Sequence, residues 1–282
     1  MRRRTFLAAS SALAASSMLP AAALAQATNP LLAPWTGPYG GVPPFDKVKV
    51  SDFKPALETG MALELRDVEA IANATAPATF ENTLAAMERS GEALERAEIV
   101  YSIWGGTLST PEVRAIEKEI EPKLSAHSDR ILQNEKLFRR IDAVHEHRDH
   151  LNLTPEQKRL TVLRWNTFVR NGAKLDAAAK ARVAQINEEL AGLFTTFSQN
   201  LLHDETERDI YLKATDLDGL PEDVRAAMAA AAKGKNRPGE YVIVNTRSSV
   251  DPFLTYSARR DLREQVWKNF YSRGDNGDAW DN

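Results

Sequence analysis

Residues 176–201 read DAAAKARVAQINEELAGLFTTFSQNL, and this stretch decides the fold class. It opens on an acidic residue, and apolar residues then recur every three or four positions, as they do along one side of an α-helix. The spacing predicts a long helix that begins at Asp176 and turns one apolar face inward, made of Val183, Ile186, Leu190, Leu193, Phe194, Phe197 and Leu201. A helix of this kind indicates a mainly α protein.

Four further helices are predicted upstream by the same periodicity. They cover about residues 51–73, 79–105, 110–145 and 154–171. Thr79 and Thr154 suit the caps of two of these helices, and Gln157 can complete a capping box with Thr154. The third helix is predicted as one continuous apolar stripe, formed by Val113, Ile116, Ile120, Leu124, Ile131, Phe138 and Ile141.

The pattern changes after the long helix. Residues 209–213 and 240–246 are short and β-prone, and a helix over 221–232 separates them, so we expect a small β-hairpin near residues 209–246. A last helix is predicted over about 257–272. Residues 273–282 are predicted to have no structure of their own.

The first 25 residues have the layout of a secretory signal peptide. Three arginines precede an apolar run over residues 6–19, and Ala23 and Ala25 fit a signal cleavage site. Arg3 and Arg4 fit the twin-arginine variant of such signals. The apolar run is shorter than the roughly 20 residues that span a bilayer. We therefore expect export to the periplasm by the twin-arginine route, and a mature form without a membrane segment.

Residues 26–50 are rich in proline and glycine, so neither a helix nor a strand ladder can run through them. We expect an extended arm there. Its apolar side chains exceed what a free linker needs, so we expect them to fix the arm on the domain surface: Leu31, Leu32, Trp35, Tyr39 and Phe45.

Composition excludes several classes of function. Lysine and arginine number 36 against 39 aspartates and glutamates, which gives no electrostatic reason to bind nucleic acid. Cysteine is absent, so disulfides, thiolate nucleophiles and cysteine zinc sites are excluded. The sequence has no Gly-x-Ser-x-Gly elbow, phosphate-binding loop or dinucleotide fingerprint. The basic run at residues 233–237 is interpreted as a solvated turn.

Three of the five histidines lie in the run His145-Glu146-His147-Arg148-Asp149-His150. Zinc hydrolases use His-Glu-x-x-His, which places two imidazoles one helical turn apart, and the spacing here is different. Glu146, His147 and His150 could share one helix face, so a weak adventitious metal site stays open beside the favoured interpretation of a solvated helix end. His127 is expected in the core, and His203 near the negative end of the long helix.

Several stretches resemble one family in their order and spacing. They are Asn29–Leu32, Pro43–Val48, Asp52–Ala56, Thr79–Thr83, Phe168–Ala173, Asn187–Leu190, Phe197–Asn200, Phe253–Ser257, Arg260–Arg263 and Ser272–Asp275. Together they are similar to the N-terminal portion of the thimet-oligopeptidase family of zinc peptidases, and most to its bacterial peptidyl-dipeptidase branch. The resemblance implies the long antiparallel helices of a neurolysin-like N-terminal lobe.

The resemblance also implies an activity. The complete enzyme would cleave short peptides in a channel between two lobes and release dipeptides from their C-termini. Its zinc would be held by a His-Glu-x-x-His helix and a downstream glutamate, none of which can be mapped onto this sequence. We therefore assign no catalytic, cofactor-binding or metal-binding residue to this chain, and we expect it to bind no zinc and to be inactive alone.

The expected domain organisation combines these sequence patterns with the resemblance. Residues 1–25 form the signal peptide, 26–50 the arm, 51–205 the helical N-terminal lobe, and 206–282 the start of a catalytic region that is cut before the zinc motif. One alternative stays open: an exported, non-catalytic helical module that binds peptides or a partner. The choice between dipeptidyl and endopeptidase action is also open.

Overall fold

The computed structural model describes residues 29–282, so the predicted signal residues Arg3, Arg4, Ala23 and Ala25 lie outside the described range. Helices dominate this range, and the predicted mainly α class is confirmed. The helices are α1 (Val50–Ala72), α2 (Glu92–Thr107), α3 (Pro111–Leu132), α4 (Glu135–His147), α5 (Pro155–Arg170), α6 (Ala177–Glu207), α7 (Glu222–Gly234), α8 (Arg247–Tyr256) and α9 (Arg260–Tyr271). Two strands, β1 (Ile210–Leu212) and β2 (Tyr241–Ile243), accompany them.

The described chain forms two compact units. The first extends to Val113 and resumes over Ile131–Ala173, and the second comprises Arg114–Arg130 and Lys174–Asn282. Residues of α3 therefore contribute to both. The predicted boundary after residue 205 stays a prediction.

Aromatic packing and one close helix approach hold the first unit together. The ring of Phe53 on α1 meets Tyr101 and Trp104 on α2 edge-on, with centroid distances of 5.8 and 5.4 Å. The two helices approach so closely at Gly60 that an added Cβ would lie 2.8 Å from Leu94 Cα. A second cluster joins α1, α4 and α5 through the buried side chains of Val68, Phe80, Leu84, Leu137, Phe138, Ile141, Val144 and Phe168.

The arm is fixed to this unit by fewer side chains than expected. Leu31 and Leu32 are fully buried, and Asn29 Nδ2 donates to the backbone oxygen of Asp52 at 2.9 Å. Tyr39 is 100% exposed and Phe45 is 42% exposed, so the prediction that these two rings pin the arm is wrong. The arm turns through Gly37, Gly40 and Gly41, which all have positive φ, and Tyr39 between them is also left-handed, with a φ of 58°.

Two predicted helices are each broken once. The segment expected over 79–105 starts as predicted, with Thr79 accepting from Asn82 N, but it breaks at Gly91, whose φ of 79° is left-handed. The segment expected over 110–145 breaks between α3 and α4, because Asn134 leaves the helical conformation and its side chain accepts from Leu137 N at 3.0 Å. A new helix thus begins inside each apolar stripe.

The helix caps of α5 and α6 are as predicted. Thr154 Oγ1 accepts from Gln157 N at 3.3 Å, and Gln157 Oε1 accepts from Thr154 N at 3.0 Å, which completes the capping box. Asp176 accepts from Ala179 N at 2.8 Å and starts the 31-residue helix α6.

In the second unit, the two strands pair with each other although a helix lies between them in the sequence. β1 and β2 are antiparallel, with Ile210 opposite Ile243 and Leu212 opposite Tyr241, which confirms the predicted small sheet, although α7 lies in the connection. The core beside this sheet is formed by Leu212, Leu217, Leu220, Met228, Ile243, Val250, Phe253 and Val266.

The end of the second unit differs from the prediction. The sequence pattern does not predict α8, and the last helix begins at Arg260 rather than near residue 257. Pro252 lies inside α8, and a proline in mid-segment ordinarily signals a break. Within residues 29–282, no helix is both long enough and apolar enough to cross a bilayer.

Candidate functional site

The histidine cluster lies at the end of α4 without forming a metal centre. The His145 ring stacks on Trp165 with centroids 4.3 Å apart, and Trp165 Nε1 donates to Asp142 Oδ1 at 2.6 Å. His147 Nδ1 lies 2.9 Å from the backbone oxygen of Ala143. Across the described range, no group of three or more His, Asp or Glu side chains is arranged to hold a metal ion. The structure therefore does not bring Glu146, His147 and His150 together as ligands.

The other two histidines lie elsewhere. His127 on α3 is buried, as the apolar stripe predicts. His203 lies one turn before the end of α6, and its ring stacks on Trp280 with centroids 4.0 Å apart and an interplanar angle of 11°. The sequence interpretation of His203 missed this contact, because the partner lies far along the chain.

Asp204 is the centre of a polar cluster at the end of α6. Its side chain is 1% exposed. Asp204 Oδ2 accepts from Gly274 N and from Asn276 Nδ2, both at 2.7 Å, and Oδ1 accepts from Arg208 Nε at 2.8 Å. The bond to Asp204 is the chief cause that raises the pKa of Arg208. A buried carboxylate with three donors is satisfied, and it holds residues 272–282 against the helix.

We call residues 272–282 the C-terminal clasp. Asp281 accepts from the backbone N–H groups of Asn276 and Gly277 at 2.6 and 2.7 Å, and these bonds lower the pKa of the Asp281 carboxyl. The backbone N–H of Asn282 donates to Gly274 O at 2.9 Å. The prediction that residues 273–282 have no structure of their own is therefore wrong.

The apolar face of α6 is exposed rather than buried. Leu193 is 57% exposed, Phe194 is 65% exposed and Phe197 is 47% exposed. Ile186 and Leu190 are each more than one third exposed. The prediction that this face turns inward is wrong for these five residues. We call them the α6 stripe.

A groove of about 340 Å³ runs beside this stripe, lined by Glu117, Glu121, Ala191, Phe194, Thr195 and Ser198. Gln199 Nε2 donates to Glu117 Oε2 and to the backbone oxygen of Arg114, both at 3.1 Å. Burial raises the pKa of Glu117 above its ordinary value, and the hydrogen bond from Gln199 opposes that change. The groove thus combines apolar surface with the carboxylates of Glu117 and Glu121.

A second cavity, of about 440 Å³, lies between α7, β2 and the start of α8. Its walls are apolar at Val224, Met228 and Pro252, and Thr246 and Ser248 add hydroxyls. Ser249 Oγ accepts from Val244 N at 3.2 Å, so this hydroxyl serves the fold. The cavity has room for an apolar side chain, but no histidine is among its lining residues to activate a hydroxyl as a nucleophile.

The basic run at residues 233–237 takes part in the fold. Lys235 Nζ lies 2.5 Å from Asp209 Oδ2, and the Arg237 guanidinium lies 3.9 Å from the centroid of the Tyr211 ring. These two contacts attach the turn at residues 233–237 to strand β1 and to Asp209, which directly precedes it.

Known proteins resemble this chain over most of its length. It is 32% identical over 255 residues to the dipeptidyl carboxypeptidase of Salmonella typhimurium, with 90% of this chain and 37% of that protein aligned. It is 31% identical over 254 residues to the dipeptidyl carboxypeptidase of Escherichia coli, with the same shares aligned. The chain is homologous to members of the thimet-oligopeptidase family. No family model matches it.

A third member of the family, oligopeptidase A of Escherichia coli, is 27% identical over 261 residues, again with 90% of this chain and 37% of the relative aligned. The chain therefore spans little more than a third of the length of these family members. The family resemblance read from the ordered sequence stretches is confirmed.

Two features of the second unit were not predicted from the sequence: the C-terminal clasp and the exposure of the α6 stripe. The clasp could have been suspected from the closely spaced Asp, Asn and Gly residues at 274–278, which favour tight turns. The exposure of the α6 stripe has no sequence signal, because an apolar helix face looks the same whether or not its partner is present.

Proposed function

We propose that the protein containing this chain is a peptidase of short peptides that releases dipeptides from their C-termini. The observation that carries the proposal is the 32% identity, over 90% of this chain, to a dipeptidyl carboxypeptidase. The lower identity of 27% to oligopeptidase A supports the dipeptidyl branch. The same relatives disfavour a purely non-catalytic helical module.

Zinc is the cofactor that the resemblance implies, and the residues of this chain do not fit it. The sequence has no His-Glu-x-x-His. The rings of His145 and His203 stack on Trp165 and Trp280, and His127 is buried on α3. We propose that the zinc ligands and the catalytic glutamate lie in the part of the family's length that this chain does not span. No catalytic step is assigned to residues 29–282.

The role proposed for this chain is structural. Its helices would form one wall of a channel that admits short peptides and excludes folded proteins, with residues 51–205 as the N-terminal lobe and 206–282 as the start of the catalytic region. The signal pattern of residues 1–25 supports export to the periplasm by the twin-arginine route.

The proposal is tested with the complete reading frame of the gene. The purified product is incubated with an N-acetylated tetrapeptide, and the products are identified by mass spectrometry. We expect release of the C-terminal dipeptide, loss of this activity with a zinc chelator, and its return when zinc is added. Release of single amino acids, or activity that is insensitive to chelation, would contradict the proposal.

A further inference from the structure

The clasp contains a chemically reactive pair of residues, Asn276-Gly277. An asparagine that precedes glycine is prone to spontaneous deamidation, because glycine has no Cβ to shield its backbone nitrogen and adopts more conformations than other residues. The sequence has one other such pair, Asn171-Gly172, which lies at the end of α5 in the first unit. The fold around each pair decides how fast it reacts.

Four hydrogen bonds hold the reacting groups of Asn276-Gly277 in place. Asn276 Oδ1 accepts from Ser272 Oγ at 2.9 Å, and Asn276 Nδ2 donates to Asp204 Oδ2 at 2.7 Å. The backbone N–H groups of Asn276 and Gly277 donate to Asp281 Oδ1 and Oδ2 at 2.6 and 2.7 Å. The side-chain carbonyl of Asn276 and the nitrogen that would attack it are therefore both engaged with other groups while the clasp is closed.

We propose that Asn276 is a deamidation site whose reaction is blocked while the clasp is closed, and whose product prevents the clasp from closing again. In the reaction the Gly277 nitrogen bonds to Asn276 Cγ, the bond from Cγ to Nδ2 breaks, and Nδ2 leaves as ammonia with the Gly277 proton. Water then opens the five-membered ring at either carbonyl and leaves aspartate or isoaspartate at position 276. The reaction needs no co-reactant besides water.

Both products disagree with the closed clasp. Aspartate would place a second carboxylate against Asp204, which is 1% exposed and now accepts from the Asn276 amide. Two carboxylates in contact repel each other, and the donor to Asp204 is lost as well. Isoaspartate inserts one more carbon into the backbone before Gly277, so Asp281 can no longer accept from both N–H groups in their present positions. Deamidation is thus a one-way change that marks a clasp that has opened.

The rate of the reaction is measured by peptide mapping. The purified product of the complete reading frame is incubated in mildly alkaline buffer, folded or unfolded in urea, and mass spectrometry follows the conversion of Asn276 and of Asn171. We expect Asn276 to react at least about 10-fold more slowly in the folded protein, since protection follows the population of the opened state. Equal rates in the folded and unfolded protein, or no product at Asn276 in the unfolded protein, would overturn the proposal.

One variant tests whether the clasp provides this protection. Asp281→Ala removes the acceptor of the Gly277 N–H and should accelerate the Asn276 reaction about 10-fold, the factor that the loss of one hydrogen bond to a charged group brings. Asp275→Ala is the matched control, because it removes the same charge and none of the four bonds, and its rate should equal that of the unaltered protein. The Asn171 rate should be unchanged in both variants. Equal acceleration by the two variants would contradict protection by the clasp.

The effect of the product is tested with Asn276→Asp. We expect chymotrypsin to cleave after Trp280 at least about 10-fold faster in this variant, because the repelled clasp opens more often. Asn171→Asp makes the same change at the other pair and should leave this cleavage rate unaltered. Cleavage of Asn276→Asp at the rate of the unaltered protein would overturn the second half of the proposal. None of these measurements requires peptidase activity of the protein itself, so they are independent of the proposed function.

Discussion

Asp204 Oδ2 accepts a hydrogen bond from the backbone N–H of Gly274 at 2.7 Å, and the two residues are 70 positions apart in the chain. This contact joins the end of α6 to the C-terminal clasp. It makes the clasp a folded part of the second unit and determines where Asn282 lies.

Replacing the buried carboxylate should release the clasp. Asp204→Ala removes the acceptor of three hydrogen bonds, two of them from groups of the clasp, and each bond to a charged group contributes about 1.5–3 kcal/mol. We expect the free energy of unfolding to fall by about 4.5 kcal/mol, the lower limit for three such bonds, and proteolysis within residues 272–282 to accelerate. Urea denaturation and limited proteolysis measure the two effects.

The matched control for this variant is Asp278→Ala. Asp278 pairs with Arg208 but is 37% exposed, so its loss should cost less than about 1 kcal/mol. Equal losses for the two variants would show that the clasp is not anchored by Asp204.

The clasp should open in acid. Backbone N–H groups lower the folded pKa of Asp281, so its contribution to stability is complete above the unfolded pKa of about 3.9 and is lost as pH falls through the lower folded value. Trp280 stacks on His203 and reports opening through its fluorescence, measured as the difference from Trp280→Phe. Asp281→Asn should abolish this acid transition, and an identical transition in that variant would rule out the assignment to Asp281.

The close approach of α1 and α2 makes alanine at position 60 destabilising. An added Cβ there would lie 2.8 Å from the backbone of Leu94, so the helices must separate, at a cost of about 1–3 kcal/mol. Thermal unfolding of Gly60→Ala measures the loss.

Gly106→Ala is the matched control, since Gly106 lies in α2 with nothing within 4 Å of an added Cβ. Alanine favours helix by up to about 1 kcal/mol over glycine, so this variant should gain stability. A stabilised Gly60→Ala protein would show that α1 and α2 do not pack as described.

Export should depend on the arginine pair of the signal. Replacing Arg3 and Arg4 together by lysine keeps the charge of the segment and removes the twin-arginine pattern. We expect the protein to stay in the cytoplasm, as measured by cell fractionation. Unchanged periplasmic material, or export that requires only the general secretory pathway, would contradict the twin-arginine proposal.

The sequence predicts regular structure well where local chemistry decides it. Thr154 with Gln157, and Asp176 with Ala179, give helix starts that depend only on neighbouring residues. The sequence does not predict the helix break at Asn134, because the apolar stripe of α3 continues into α4 across this helix cap.

Long-range contacts limit the prediction of the candidate site. The bond between Asp204 and Gly274 joins residues whose proximity no local pattern shows. Periodicity correctly predicts the α6 stripe as apolar, but it wrongly predicts burial of Phe194 and Phe197, because it identifies a face without showing what covers it. That the sequence contains no His-Glu-x-x-His motif, by contrast, follows directly from the spacing of its histidines.

We propose that this chain supplies helical framework to a peptidase whose catalytic residues lie elsewhere. The most direct measurement compares the purified chain ending at Asn282 with the product of the complete reading frame, for bound zinc by mass spectrometry and for cleavage of an N-acetylated tripeptide. We expect no bound zinc and no cleavage for the chain ending at Asn282, and stoichiometric zinc with dipeptide release for the complete product. Stoichiometric zinc and cleavage by the chain ending at Asn282 would contradict the claim.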